Sequence, residues 1–183
     1  MKKQFIRLFL LIFPFITSGQ SIFEKFQNNK NVISISITPK MFQMLGSMAI
    51  SSNDPESIYL KEIINEIKSF NALITSSYEI INQMTKWVDS TSKKEDIDKI
   101  FSISEEKIEM NIYAKDGQEA SGLKTILIFS KGLPIKQINS ENNSEKIEAF
   151  LLLVEGNISI ENISKLIGKM NLPGSDQLKK AGI

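Results

Sequence analysis

The sequence predicts an α+β fold, a mainly antiparallel sheet of about five strands with helices packed mostly on one face. Three observations carry this. Apolar residues recur at helical spacing through the first half of the chain: Met41, Met44, Leu45 and Met48; Leu60, Ile63, Ile64 and Ile67; Ile80, Ile81, Met84, Trp87 and Val88. From Lys107 the period changes to two, and Asp116-Gly117 marks a turn between this alternating run and a second strand, Gly122–Ser130. Finally, Ile147–Val154 reads as a buried strand that turns through Gly156-Asn157 into an amphipathic helix ending at Met170.

Residues 1–19 are set aside before any fold is argued. Lys2, Lys3 and Arg7 form a basic start, Leu8–Ile16 is apolar except for Pro14, and Thr17-Ser18-Gly19 supplies small residues. That is the pattern of a secretory signal peptide cleaved after Gly19. Its apolar run falls well short of the roughly 20 residues needed to cross a bilayer, and no later stretch is longer. Residues 20–170 then form a single domain. Residues 171–183, with Pro173 and Gly174 and no apolar period, are expected to be a frayed tail.

Within the domain, Ile22, Phe23 and Phe26 make one helical turn with its aromatic side inward. Val32–Thr38 alternates Ile33, Ile35 and Ile37 with Ser34, Ser36 and Thr38, a half-buried strand. Pro39 suits a helix start because it needs no amide partner there, and the helix runs over Lys40–Ala49. Its methionine stripe, mixed with Phe42 and Leu45, reads as adaptable core filling in preference to a thioether copper site. A second helix is expected from Glu56 to Lys68. Glu62 and Glu66 lie one turn apart on its solvated face, flanked by lysines. Phe70–Ser76 follows as a short strand.

Tyr78–Asp89 is helical, with Trp87 packed against the sheet. Asp89-Ser90-Thr91 opens a polar loop ending near Asp98. The triplet is similar to an O-glycosylation acceptor of exported bacteroidete proteins, and whether Ser90 carries a sugar stays open. Ile97–Ile103 fits a strand or a helical turn equally. Lys107–Lys115 and Gly122–Ser130 form a hairpin, and Lys131–Glu145 is a polar excursion. Ser159 stands at a helix N-cap, with Asn162 where a reciprocal Glu or Gln would sit. Ile160, Ile163, Leu166, Ile167 and Met170 then make one apolar stripe.

Composition excludes more than it assigns. Without the leader the chain has 19 basic and 21 acidic side chains, a net charge of −2, which argues against nucleic acid as a partner. There is no cysteine and no histidine. Ser-His-Asp and Cys-His catalysis and the usual zinc and haem sites are therefore excluded. An enzyme would need carboxylates converging in one cleft, for example from among Glu105, Glu106, Asp116 and Glu119, and these lie in polar loop contexts. No catalytic, cofactor-binding or metal-ligating residue is assigned, no cofactor is expected, and the chain is read as not an enzyme.

Met41-Phe42 after the first strand, and Gly156-Asn157-Ile158-Ser159-Ile160 followed by Ile163, Leu166 and Ile167, carry a resemblance. Over nearly all of the chain beyond the leader it resembles the bacteroidete envelope proteins of domain-of-unknown-function family four-two-five-two. The resemblance implies no catalytic residue. Many members look like lipoproteins with Cys at the cleavage site, where this chain has Gln20 preceded by Thr17 at a lipobox position that prefers Leu. The expectation is an exported protein, periplasmic or secreted and not lipid-anchored through Cys. It would be a non-catalytic binding or interaction module with a protein partner in the cell envelope. The runner-up is an accessory component of envelope signalling through sigma-factor regulation, ahead of a carboxylate-based enzyme. An open sheet edge at Val32–Thr38 or Ile147–Val154 would be a place for a partner to dock, and the oligomeric state is left open.

Overall fold

The computed structural model describes residues 21–49, 63, 66–105, 107–117, 122–133, 148–170 and 172–180. The expected leader, the loop 51–55, most of the expected second helix and of the polar excursion, Glu62, Glu106 and Glu119 lie outside these residues. In chain order the elements are α1 (Ile22–Phe26), β1 (Val32–Ile37), α2 (Pro39–Ala49), β2 (Ile67–Thr75) and α3 (Tyr78–Lys94). Then come β3 (Asp98–Glu105), β4 (Ile108–Asp116), β5 (Leu123–Lys131), β6 (Ala149–Ile158), α4 (Ile160–Lys169) and α5 (Ser175–Lys180).

The six strands form one sheet in the order β1-β2-β6-β5-β4-β3, and every neighbouring pair is antiparallel. β3, β4 and β5 follow one another as a meander. β6, the last strand in the chain, enters between β2 and β5 and joins the two halves. The α+β class and the antiparallel sheet agree with the sequence reading, with a sixth strand because the ambiguous stretch around Ile97–Ile103 is β3.

Strand alternation divides the core between two faces. Phe70, Ala72, Ile74, Met110, Ile112, Ile126, Ile128, Phe150, Leu152 and Val154 face one side. There they meet Phe42 of α2, Ile163, Leu166 and Ile167 of α4, and Leu178 of α5. Leu73, Tyr113, Leu127, Phe129, Ala149 and Leu151 face the other, against Ile22, Phe23 and Phe26 of α1 and Ile80, Ile81, Met84 and Val88 of α3. Helices therefore flank both faces, not mostly one. The signal was present in β5 and β6, whose unbroken apolar runs Ile126–Phe129 and Ala149–Val154 suit strands covered on both sides.

Several boundaries shift for local physical reasons. β6 does not turn at Gly156 but pairs through it. A Cβ there would stand 2.0 Å from the Glu66 carbonyl oxygen, so a glycine permits this close approach to the start of β2. Ile67 and Lys68, expected in a helix, open β2. α3 runs past Asp89-Ser90-Thr91 to Lys94, because the Glu95 amide still bonds to the Thr91 carbonyl, and Ser90 is exposed on it. The expected tail is not frayed: it forms α5, with Leu172 and Leu178 buried. Gly174 enables that return at φ +93°, and a Cβ there would meet the Met110 methyl at 2.9 Å.

Candidate interaction edge

β1 is clamped at both ends. At its start the Asn29 side chain accepts the Asn31 amide at 2.9 Å, the Val32 amide bonds to the Asn29 carbonyl, and Thr75 Oγ1 donates to the Asn31 carbonyl at 2.7 Å. At its end the Thr38 hydroxyl accepts the Met41 amide at 3.4 Å and the Thr38 carbonyl accepts the Phe42 amide, which starts α2 on Pro39. Between these clamps Val32–Ile37 pairs residue by residue with Thr75–Phe70 of β2 without a bulge. Ser36 Oγ adds a bond to Asn71 Oδ1 at 2.8 Å.

The other side of β1 faces no strand among the described residues. The central strand β6, the other edge candidate, is paired on both sides. Within Val32–Ile37 there is no charge, no proline and no bulge, three of the usual edge protections. The opposite edge, β3, differs on two of these counts, with Asp98, Lys99 and Glu105 in the strand and a register shift between Lys99 and Phe101. Glu105 there also pairs with Lys180 of α5 at 3.0 Å.

Three large apolar side chains are exposed on β1 and on α2, which follows it in the chain. Ile33 is 43% exposed, Met41 47% and Met44 58%. The stripe expected to be core is thus turned outward at Met41 and Met44, while Phe42 takes the core position, edge-to-face on Phe70 at 6.4 Å. The large ring wins the inward place because it fills the space over β2 that a methionine one residue away does not reach.

Trp87 is half-buried and stacks edge-to-face on Phe23 at 5.6 Å, locking α1 to α3. Glu66 accepts a hydrogen bond from Asn162 Nδ2 at 3.0 Å. Of the four carboxylates considered for catalysis, Glu105 and Asp116 are described. They stand at opposite ends of β4: Glu105 lies level with Ile108, eight positions from Asp116, roughly 27 Å at strand rise. They share no cleft.

One polar chain that the sequence reading missed crosses the sheet. Ser102 Oγ donates to Asn111 Oδ1 at 2.8 Å, Asn111 Nδ2 donates to Glu109 Oε1 at 3.0 Å, and Lys131 pairs with Glu109 Oε2 at 3.0 Å. Lys131 holds the Glu109 carboxyl below its ordinary range, so this group is an ion and a poor proton donor near neutral pH. Beside it Tyr113 is buried, which pushes its hydroxyl above the ordinary range, helped by the charges of Asp89 and Glu109. Alternation in Lys107–Lys115 placed Glu109, Asn111 and Tyr113 on one face, but their partners come from β3 and β5, whose order alternation does not set.

No helix among the described residues is long and apolar enough to cross a membrane. Fold and edge together define a class: a two-faced α+β domain whose sheet, among the described residues, ends in one strand with charges and a bulge and one strand with neither. The chain belongs to the family described as domain of unknown function (DUF4252), whose model matches residues 26–166. Neither a curated protein nor a solved structure matches it.

Proposed function

We propose that this chain is an exported protein of the bacterial cell envelope that works by binding a protein partner and not by catalysis. The observation that carries the reading is β1, which among the described residues is an edge strand with no charge, proline or bulge, together with the exposed Ile33 on it and the exposed Met41 and Met44 on the helix that follows. Strand addition to such an edge offers a partner a full row of backbone hydrogen bonds, with side-chain contacts to α2 for selectivity. The basic start, short apolar run and small residues of 1–19 support export. A partner that itself controls a sigma factor would make the protein an accessory of envelope signalling, a narrower form of the same reading.

The test is a crosslinking pull-down of the tagged protein from intact cells, with an intact mass on the same sample. One dominant envelope partner and a mass beginning at Gln20 are expected. A mass that retains residues 1–19 removes the export reading, and no partner above background, neither another envelope protein nor a second copy of this chain, removes the binding reading.

A further inference from the structure

If β1 is the binding edge, as the proposed function holds, some strand must occupy it. Resting on that reading, we propose that the occupant is β1 of a second copy of this chain, paired antiparallel about a two-fold axis so that the sheet runs through both subunits. Residues of an edge strand alternate between bonding inward to their neighbour and presenting their N–H and C=O outward. A new antiparallel strand bonds only to the outward set, so two identical strands related by a two-fold axis must oppose residues of the same parity.

In β1 that parity coincides with chemistry. Ile33-Ser34-Ile35-Ser36-Ile37 reads the same in both directions. With the axis at Ile35, Ile33 opposes Ile37 and Ile35 its own copy on the α2 face, while Ser34 opposes Ser36 on the other. β-branched apolar pairs and hydroxyl pairs are both favourable across strands, and no charge in Val32–Ile37 meets its own copy. In that register Ile33, 43% exposed in one chain, gains Ile37 of the partner as cover. β3 has no such symmetry, since its register shift between Lys99 and Phe101 breaks the alternation.

The chain has no cysteine, so single cysteines can map the register. Ser34→Cys, Ile35→Cys and Ser36→Cys each face themselves only when that residue lies on the axis. Directly opposed Cβ atoms are then about 4.5–5.5 Å apart, near the span of a disulfide. Ile100→Cys on β3 is the control, since Ile100 is exposed to a similar degree, 46%. We expect the purified protein to sediment as a dimer at micromolar concentration. One of the three β1 variants should oxidise to a covalent dimer while Ile100→Cys does not. Ser36→Lys, which sets like charges near each other across the axis, should sediment as a monomer with an unchanged circular dichroism spectrum. A monomeric wild type, with no β1 cysteine crosslinking beyond the control, overturns the proposal. If that monomer still captures one different envelope protein in cells, self-pairing fails and partner binding stands. If it captures none, both fail.

Discussion

Leu178→Ala tests whether the last helix belongs to the fold. Leu178 is 1% exposed and sits in the core cluster that includes Met110, Phe150, Leu166, Ile167 and Leu172. Truncating a buried leucine to alanine costs about 2–5 kcal/mol, depending on how far the site collapses. α5 has six residues, too few to hold a helix without packing, so loss of its anchor frees the segment and uncovers the sheet beneath. That places the expected loss in the upper half, about 3–5 kcal/mol. For a chain of this size the melting temperature should drop by roughly 6–20 °C. The assay is thermal unfolding followed by circular dichroism, with Lys179→Ala, exposed on the same helix, as a control expected within about 0.5 kcal/mol of wild type. A Leu178→Ala midpoint indistinguishable from that control would mean the C-terminal segment contributes nothing, and the packing described for α5 would be refuted.

Three further outcomes are expected. Ser159 caps α4 by accepting the Asn162 amide at 3.1 Å, so Ser159→Ala should cost about 1 kcal/mol in urea unfolding, and an unchanged midpoint would show that the cap does not hold the helix. Tyr113 is held neutral when folded, so above about pH 10 the unfolded chain ionises first and stability falls as pH rises through the folded value. Tyr113→Phe should lose that part of the alkaline decline, and an identical pH profile in both proteins would contradict the burial argument. Ser130 Oγ is fully buried without a hydrogen-bond partner, the sole such side-chain atom found among the described residues. Ser130→Ala should therefore raise the urea midpoint by a gain on the order of 1 kcal/mol, and a clear loss would reveal a partner for the hydroxyl.

Much of this fold was legible because apolar period follows burial. Val32–Ile37 and Ile108–Asp116 alternate as strands should, Leu123–Lys131 carries the apolar run of a buried strand, and Ser159 with Ile163, Leu166 and Ile167 announces α4 by cap and stripe together. The failures cluster where the backbone breaks its own period. A register shift between Ile67 and Ser69 sets both Ile67 and Phe70 inward, a spacing of three that imitates a helical turn. The shift between Lys99 and Phe101 blurs β3 in the same way. α5 was hidden because Pro173 and Gly174 resemble the start of a loose end, when Gly174 is the hinge that returns Leu178 to the core. Of the candidate interaction edge, the strand and its alternation were readable, and its position was not. Strand order depends on long-range pairing, above all on β6 entering beside β2, and no local pattern in Val32–Ile37 reports that. Which side of α2 packs was likewise decided by Phe42 against Phe70, a contact between residues far apart in the chain.

The central claim is that β1, and not β3, is where this protein meets its partner. A photo-crosslinking residue placed at Ile33 or, separately, at Ile100 tests it most directly, since the two positions are exposed alike on opposite edges of one sheet. Irradiation of intact cells should give one discrete adduct from position 33 and none from position 100. Equal yields from both positions, or an adduct from position 100 alone, would contradict the claim.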